Sequence, residues 1–380
     1  MASSSTRDSV AVPFLDVVSQ LREVREGVLE DVAGLLETGA FTNGPQVADF
    51  EAAFASYVGT RHAVGLASGL DALRLALLAF GLEPGDEVIL PAMTFVATAE
   101  AVSQAGGRPV LADVSSSDYC LDADAAAAAI SVRTRFLLPV HLYGQPTDMH
   151  ALAGLAERHG LVVVEDACQA HGASRDGVRA GTAGGAAAFS FYPGKNLGAI
   201  GDAGALVTDD AGVAATVRAL REHGQVAKYR HARVGWTARL DTVQAAVLLR
   251  RLPLLDEANA CRRSAAALYR ELLTGVGDLV LPPDPAGDGH VWHLYVLRTG
   301  DPTGLAAHLA ERGIGTGRHY PDPVHLTEAY AHLGRREGSF PVAEAIAREC
   351  LSLPLFPGIS DAQVGAVADA IRGWFDGRAG

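Results

Sequence analysis

The chain has 380 residues, 49% of them hydrophobic and 20% charged, a balance that can bury a large core and excludes a disordered chain. Lysine and arginine together number 31 against 44 acidic residues, a net charge of −13. Nucleic acid and anionic lipid are therefore disfavoured as partners, and an anionic substrate needs a local basic patch.

The N-terminal residues 1–11 are polar and Ser-rich and read as a flexible tail without an apolar leader. Strand-like runs follow at His62–Leu66, Glu87–Leu90, Pro109–Ala112, Arg135–Pro139, Leu161–Glu165, Ala186–Ser190 and Gly204–Thr208. Helix-period segments at Leu70–Phe80, Ala97–Gln104, Ala123–Ile130 and Met149–His159 alternate with them. Such alternation predicts an α/β fold, a mostly parallel sheet between helices, with ligands bound beyond the strands' carboxyl ends. After Asp241 the texture changes: helices over Thr242–Leu252 and Glu257–Leu273, a proline-rich break at Leu281–Pro285, a strand-like Val291–Leu297, and helices near Thr303–Arg312 and Asp361–Phe375. This divides the chain into a large domain, 12–251, and a smaller C-terminal α+β domain, 252–380. No run of about 20 apolar residues occurs. The four cysteines form no CxxC pair, so a soluble, cytoplasmic protein is expected.

Only two lysines, Lys195 and Lys228, stand among the 31 basic residues. A partly buried lysine can lose its proton near neutral pH, which arginine cannot. Lys195 lies in Tyr192-Pro193-Gly194-Lys195-Asn196-Leu197-Gly198, directly after a strand ending at Ser190. Glycines on both sides permit close approach of a flat ligand. Some way upstream, the strand Val162-Val163-Val164 runs into Glu165-Asp166-Ala167-Cys168-Gln169. A buried acid there needs a cation or proton donor, although Asp166 equally suits the cap of the next turn. A lysine and an acid at strand ends are what pyridoxal phosphate needs: one forms the Schiff base, the other keeps the pyridine nitrogen protonated. Gly198–Gly204 lacks the G-x-G-x-x-G of a dinucleotide site. Ala67-Ser68-Gly69-Leu70 opens a helix after a strand, a phosphate-binding start or an ordinary cap. Phe95 follows another strand and reads as a cofactor stack or as core.

In this order the motifs resemble the DegT/DnrJ/StrS family of fold-type I pyridoxal phosphate sugar aminotransferases. Val12-Pro13-Phe14-Leu15-Asp16, Thr42-Asn43-Gly44, His141-Leu142-Tyr143-Gly144-Gln145, Arg239-Leu240-Asp241, His319-Tyr320-Pro321 with His325, and Leu351-Ser352-Leu353-Pro354 extend the likeness over nearly the whole chain. The resemblance implies that Lys195 binds the cofactor covalently, Asp166 meets its pyridine nitrogen and Gln169 its phenolate oxygen. It further implies that Ser190 and the Gly69–Leu70 backbone hold the phosphate and that Phe95 stacks on the ring. Family members place an asparagine two residues before Arg-Leu-Asp, reaching the partner subunit's cofactor phosphate. Here Thr237 stands there, with one hydroxyl to offer.

Lysine rather than histidine at position 195 favours transamination over sugar dehydration within the family. The wording around Asp166, Leu70-Asp71-Ala72-Leu73 and Lys228-Tyr229 resembles the enzymes acting at C3 of a nucleotide-linked sugar. The reading is therefore a homodimer that moves an amino group, with glutamate as donor, to a dTDP-type ketosugar, Thr42, Lys228, Tyr229 and His325 contacting substrate. The alternatives are a C4 or aminocyclitol aminotransferase and, from another class, a cofactor-binding regulator without turnover. Arg218–Arg233 is basic and reads as a diphosphate clamp or as a solvated face. His290, His293, His319 and His325 keep aromatic company and are read as pocket or packing residues, with no metal.

Overall fold

Seven strands assemble into one sheet: β1 His62–Leu66, β2 Glu87–Pro91, β3 Arg108–Ala112, β4 Thr134–Leu137, β5 Val162–Asp166, β6 Ala186–Ser190 and β7 Gly204–Thr208. The computed structural model describes residues 11–283 and 289–378. The tail expected over 1–11 thus lies outside the described residues except for Ala11, as does the end of the proline-rich break at 284–285. Spatial order is β1-β7-β6-β5-β4-β2-β3. All neighbours pair in parallel except around β7, which is antiparallel to both β1 and β6. The reversal is local: segment 191–203 leaves the carboxyl end of β6 and returns as β7 without a crossover helix. A parallel pair would need such a crossover.

Because both faces are covered, the strands are almost continuously buried. One face packs against helices Gly69–Ala79, Ala97–Gln104 and Ala211–Arg221. The other packs partly against Pro45–Val58 and Thr242–Arg251, with Phe50, Phe54, Phe189 and Phe191 in edge-to-face and stacked contact. A third core joins helices Leu255–Leu273, Pro302–Ala310 and Asp361–Asp376 to the antiparallel pair Tyr295–Arg298 and Cys350–Leu353. Val12 is buried in this third core and bridges Ile314, so the described N-terminal segment crosses to the C-terminal part of the chain. Among the described residues no helix is long and apolar enough to cross a membrane.

The elements after Asp241 depart from periodicity at one informative place. Val291–Leu297 reads as a strand, yet the strand is Tyr295–Arg298. Trp292 has φ +46°, and its neighbours bond the 142–144 turn instead: Val291 N–H donates to Gly144 and Leu294 N–H to Tyr143. A positive φ breaks an extended run, and here it swings His293 toward the sheet edge. Helices Val17–Arg22, Arg25–Thr38 and Pro45–Val58 precede the first expected strand.

Alternation along β5 sends Glu165 and Asp166 to opposite faces. Glu165, fully buried, accepts from His141 Nε2 (2.8 Å) and from the backbone N–H groups of Gly181, Ala183 and Gly184. His141 Nδ1 accepts from Thr147 N–H (3.0 Å), so its Nε2 carries the proton donated to Glu165. Burial alone would raise the Glu165 carboxyl, but the His141 and backbone donors outweigh it and hold it below its ordinary value. A depressed folded pKa contributes stability above the unfolded value of about 4.5, lost as pH falls through the folded pKa. Glu165→Gln, which turns an amide N–H₂ toward these donors, is expected to cost about 3–5 kcal/mol. Urea denaturation at pH 7 measures it, and the gap from wild type should narrow as the pH is lowered below 4.5.

Candidate active site

The carboxyl edge of the sheet opens on a cleft of about 900 Å³. Ser68, Gly69 and Leu70 enter it after β1, Thr94 and Phe95 after β2, Asp166, Cys168 and Gln169 at and after β5, and Ser190, Tyr192 and Lys195 at and after β6. The C-terminal part of the chain supplies His293, Arg318, His319 and Tyr320 on the facing wall.

Asp166 is buried and oriented by two donors: the Thr98 hydroxyl on Oδ2 (2.7 Å) and the Cys168 N–H on Oδ1 (3.2 Å). Thr98 is braced by Thr94 (2.8 Å), one helical turn earlier. Gln169 Oε1 accepts the Tyr143 N–H (2.7 Å), and its Nε2 donates to the Tyr320 hydroxyl (3.0 Å), leaving one amide N–H to spare. Phe95 is half exposed and leans on Tyr320, ring centroids 5.4 Å apart. Lys195 makes no hydrogen bond or ion pair at Nζ among the described residues. Burial pushes its ammonium below the ordinary lysine value, while Cys168 and Asp166 pull it back up. Burial and the Lys195 charge hold His319 down to about 4.

Ser68 caps helix Gly69–Ala79, its hydroxyl accepting the Asp71 N–H (3.0 Å). The N–H groups of Gly69 and Leu70 remain without an acceptor among the described residues, at the positive end of the helix dipole. Glycine is required at 69 by crowding: a Cβ there would lie 2.5 Å from Cys168 Sγ and 2.9 Å from Ser190 Cβ. Ser190 Oγ accepts only the Tyr192 N–H (3.3 Å), so its own proton is available. Orphan donors for a phosphate, a buried carboxylate, an amine of depressed pKa and a spare amide N–H meet in one cleft. These residues fit pyridoxal phosphate.

Of the residues singled out in the sequence, Lys195, Asp166, Gln169, Ser190, Gly69, Leu70 and Phe95 line this cleft. Others do not. Thr42 is exposed and bridges Asp241. Lys228 and Tyr229 stand exposed at the tip of the hairpin Gln225–Ala227/Arg230–His231, with the Lys228 ammonium over the Tyr229 ring. Thr237 is exposed, its hydroxyl 3.1 Å from His223 Nε2. His325 corrects an expectation: it lies wholly buried in the short turn Val324–Leu326, bonded to Glu344 (2.9 Å) and edge-on to Phe340, with no face to the cleft. The basic stretch is corrected in part as well, because Arg218 and Arg221 are both paired with Glu51. Only Lys228, Arg230 and Arg233 of its five cations stay exposed. Motif reading missed Thr98, whose one signal was its four-residue spacing from Thr94 along a helix start.

A lysine loop after β6, a carboxylate at β5 and a phosphate-ready helix after β1 define a pyridoxal phosphate transferase of the doubly wound α/β class. The chain belongs to the DegT/DnrJ/EryC1/StrS aminotransferase family, which it matches over residues 22–372, and it is a pyridoxal-phosphate-dependent aminotransferase. A dTDP-3-amino-3,4,6-trideoxy-alpha-D-glucose transaminase from Streptomyces venezuelae is 48% identical over 371 residues, 98% of each chain. A UDP-N-acetyl-3-dehydro-alpha-D-glucosamine 3-aminotransferase from Acidithiobacillus ferrooxidans is 42% identical, over 96% of this chain and 98% of that one. The crystal structure of S. venezuelae DesV in complex with a ketimine intermediate superposes with a TM-score of 0.93 at 49% identity, covering 96% of this chain and 99% of that one.

The crowding at Gly69 gives a direct test of the phosphate turn. Gly69→Ala should destabilise the protein by about 1–3 kcal/mol and weaken cofactor binding. Removing the nearest obstacle, in Gly69→Ala/Cys168→Ala, should restore part of both, as read by chemical denaturation and cofactor titration.

Proposed function

We propose that this aminotransferase aminates C3 of a nucleotide-linked ketosugar, of the dTDP type, using glutamate as donor, in the making of an amino-deoxysugar. The observation that carries the reading is the meeting of Lys195, Asp166, Gln169, Ser190 and the Gly69–Leu70 turn in a single cleft. The substrate class rests on relatives matched over nearly their full length, whose names specify amination at C3 of a sugar on dTDP or UDP.

When bound, pyridoxal phosphate supplies an electron sink that makes the proton on the neighbouring carbon labile. The protein's own groups do the rest. Asp166, fixed as an acceptor by Thr98 and the Cys168 N–H, holds a proton at the pyridine nitrogen. Gln169 offers its spare N–H to the phenolate oxygen, and Ser190 with the helix start at Gly69 holds the phosphate. Lys195 would hold the cofactor covalently, and its amine is the group that would take up and return the proton at the reacting carbon. Its depressed pKa leaves more of it as free amine near neutral pH. Residues 12–251 serve as the cofactor-binding unit, and 252–380 close the cleft with His293, His319 and Tyr320.

Lys228, Tyr229 and Arg230 are exposed on their hairpin and do not line the chain's own cleft, which suits residues that serve a second subunit. In a homodimer, Thr237 would reach the partner's cofactor phosphate and the hairpin cations the substrate diphosphate, with Thr42 at the same junction. Working on cytosolic nucleotide sugars, such an enzyme would reside in the cytoplasm.

The purified protein should be yellow, and borohydride should abolish the visible band while fixing cofactor to Lys195. Lys195→Ala should lose the band and fall in turnover by about two to four orders of magnitude. Cofactor mapped to Lys228 would overturn the assignment. A screen of nucleotide-linked 3-ketosugars with glutamate, products identified by NMR, tests the substrate: amination only of 4-ketosugars or of cyclitols would reject the C3 reading.

Cofactor titration of the apo variants ranks the phosphate contacts. Loss of one neutral hydrogen bond is worth about 0.5–1.5 kcal/mol, so Thr237→Val should weaken binding by roughly threefold to tenfold. Ser190→Ala should weaken it more.

A further inference from the structure

The helix that offers its first N–H groups to a phosphate carries a carboxylate in the same turn. Asp71 stands one residue beyond the Gly69–Leu70 pair, in the first turn of helix Gly69–Ala79. An acid suits a helix N-terminus when no other anion is bound there. A phosphate monoester brings about 1.5 to 2 further negative charges at neutral pH, so two anions compete for one helix start. Among the described residues Asp71 is also one of four carboxylates that line the cleft, with Glu100, Asp166 and Asp202. A dianion entering there meets an acidic lining, and the acid on the phosphate helix itself stands nearest to its seat.

Both oxygens of that carboxylate are already taken. Oδ2 accepts the Ser68 hydroxyl (3.1 Å), and Oδ1 accepts Arg74 Nη2 in an ion pair one turn along the helix. Arg74 is fixed from two further sides. Its Nη1 donates to Gln104 Oε1 (3.0 Å) on helix Ala97–Gln104, and its guanidinium lies over the Trp236 ring, 4.9 Å from the centroid. The Arg74 and Asp71 side chains are only 13% and 17% exposed, so water screens the pair little. Arg74 Nε is buried without a partner among the described residues, a cost that an ordinary surface pair at this spacing does not carry. Ser68, Asp71, Arg74 and Gln104 all line the cleft.

We propose that Arg74 is a positioning residue of the phosphate seat: it cancels the charge of Asp71 and holds that carboxylate to one side, which frees the Gly69–Leu70 N–H groups for a dianion. The proposal rests on the reading of Gly69–Leu70 as the seat of the cofactor phosphate. With Arg74 in place, the turn presents a neutral pair and the positive end of the helix dipole. Without it, Asp71 repels the phosphate across a single helical turn, where little solvent intervenes. Neutralising Asp71 instead leaves Arg74 with an uncancelled positive charge beside the phosphate. The two members of one ion pair therefore act on the cofactor in opposite directions. A pair that merely braced the helix would weaken the site from either side.

That difference in sign is the test. Full-length apoenzyme is titrated with pyridoxal phosphate and, separately, with pyridoxal, which lacks the phosphate. Arg74→Leu should bind pyridoxal phosphate about tenfold more weakly, Asp71→Asn about threefold more tightly, and Arg74→Leu/Asp71→Asn should return to within about twofold of wild type. Pyridoxal should bind alike to all four proteins, because it brings no phosphate for Asp71 to repel. Unchanged pyridoxal phosphate affinity in Arg74→Leu, weaker binding in Asp71→Asn, no recovery in the double variant, or an equal loss for pyridoxal would each overturn the proposal. Should Arg74→Leu fail to fold, the direction of the change in Asp71→Asn decides by itself. Wild-type enzyme that takes pyridoxal as tightly as its phosphate would instead reject the phosphate seat on which the proposal rests, and that result is read without any variant.

Discussion

Two consecutive carboxylates at the end of one buried strand, Glu165 and Asp166, set the terms for the structure around them. An unpaired buried charge costs several kcal/mol, and the pleat forbids the two from sharing partners, since neighbours on a strand face opposite sides. On the far side, Glu165 is met by His141 and by three backbone N–H groups of the 181–184 turn. The segment after β5 must therefore fold back beneath the sheet before it enters β6. On the near side, Asp166 is met by Thr98 and its own Cys168 N–H, which still leaves it open to the cleft. One carboxylate ties the fold beneath the sheet, and its neighbour lines the cleft.

The lysine loop depends on a different constraint. Between β6 and β7 the chain reverses without a helix, so its backbone groups cannot all be satisfied within the loop. Lys195 N–H turns back to the Tyr192 carbonyl (2.8 Å) and Ala199 N–H to that of Phe191 (2.7 Å), and other groups of the loop are tied from outside. Gln244 accepts the Ile200 N–H, Arg251 donates to the Gly198 carbonyl, and Asn196 reaches Asn259 and Val291. These partners come from the helices after Asp241 and from the bend before Tyr295–Arg298, so the C-terminal part of the chain holds the loop as well as walling the cleft. An amine of depressed pKa is best kept in a loop whose neighbours are this well anchored, because displacement by about an ångström is costly in catalysis.

What the sequence by itself determined is the set of groups that lie immediately beyond strands. Lys195, Asp166, Gln169, Ser190, Gly69 and Phe95 each end or follow a short apolar run that alternates with helix-period segments, the pattern of a buried strand, and a mostly parallel sheet collects such positions along one edge. That inference needs no knowledge of which strand neighbours which, and so it survives without coordinates. The lysine scarcity added the chemistry, because an amine has to remain an amine where arginine could not serve.

Only the tertiary structure decided the partners. Thr98 meets Asp166 because β2 and β5 flank β4, an order no local pattern encodes. His293 reached the cleft through a positive φ at Trp292 that breaks what reads as a continuous strand. His325 went the other way: near Tyr320 in sequence, it was turned inward to Glu344 by a short helical turn. Arg218 and Arg221 look like part of a free basic face until Glu51, distant in sequence, claims both. Local periodicity reports which face of an element is apolar. Which polar groups find one another depends on contacts between segments far apart in the chain, and these form only when the sheet and the C-terminal core close around the same cleft.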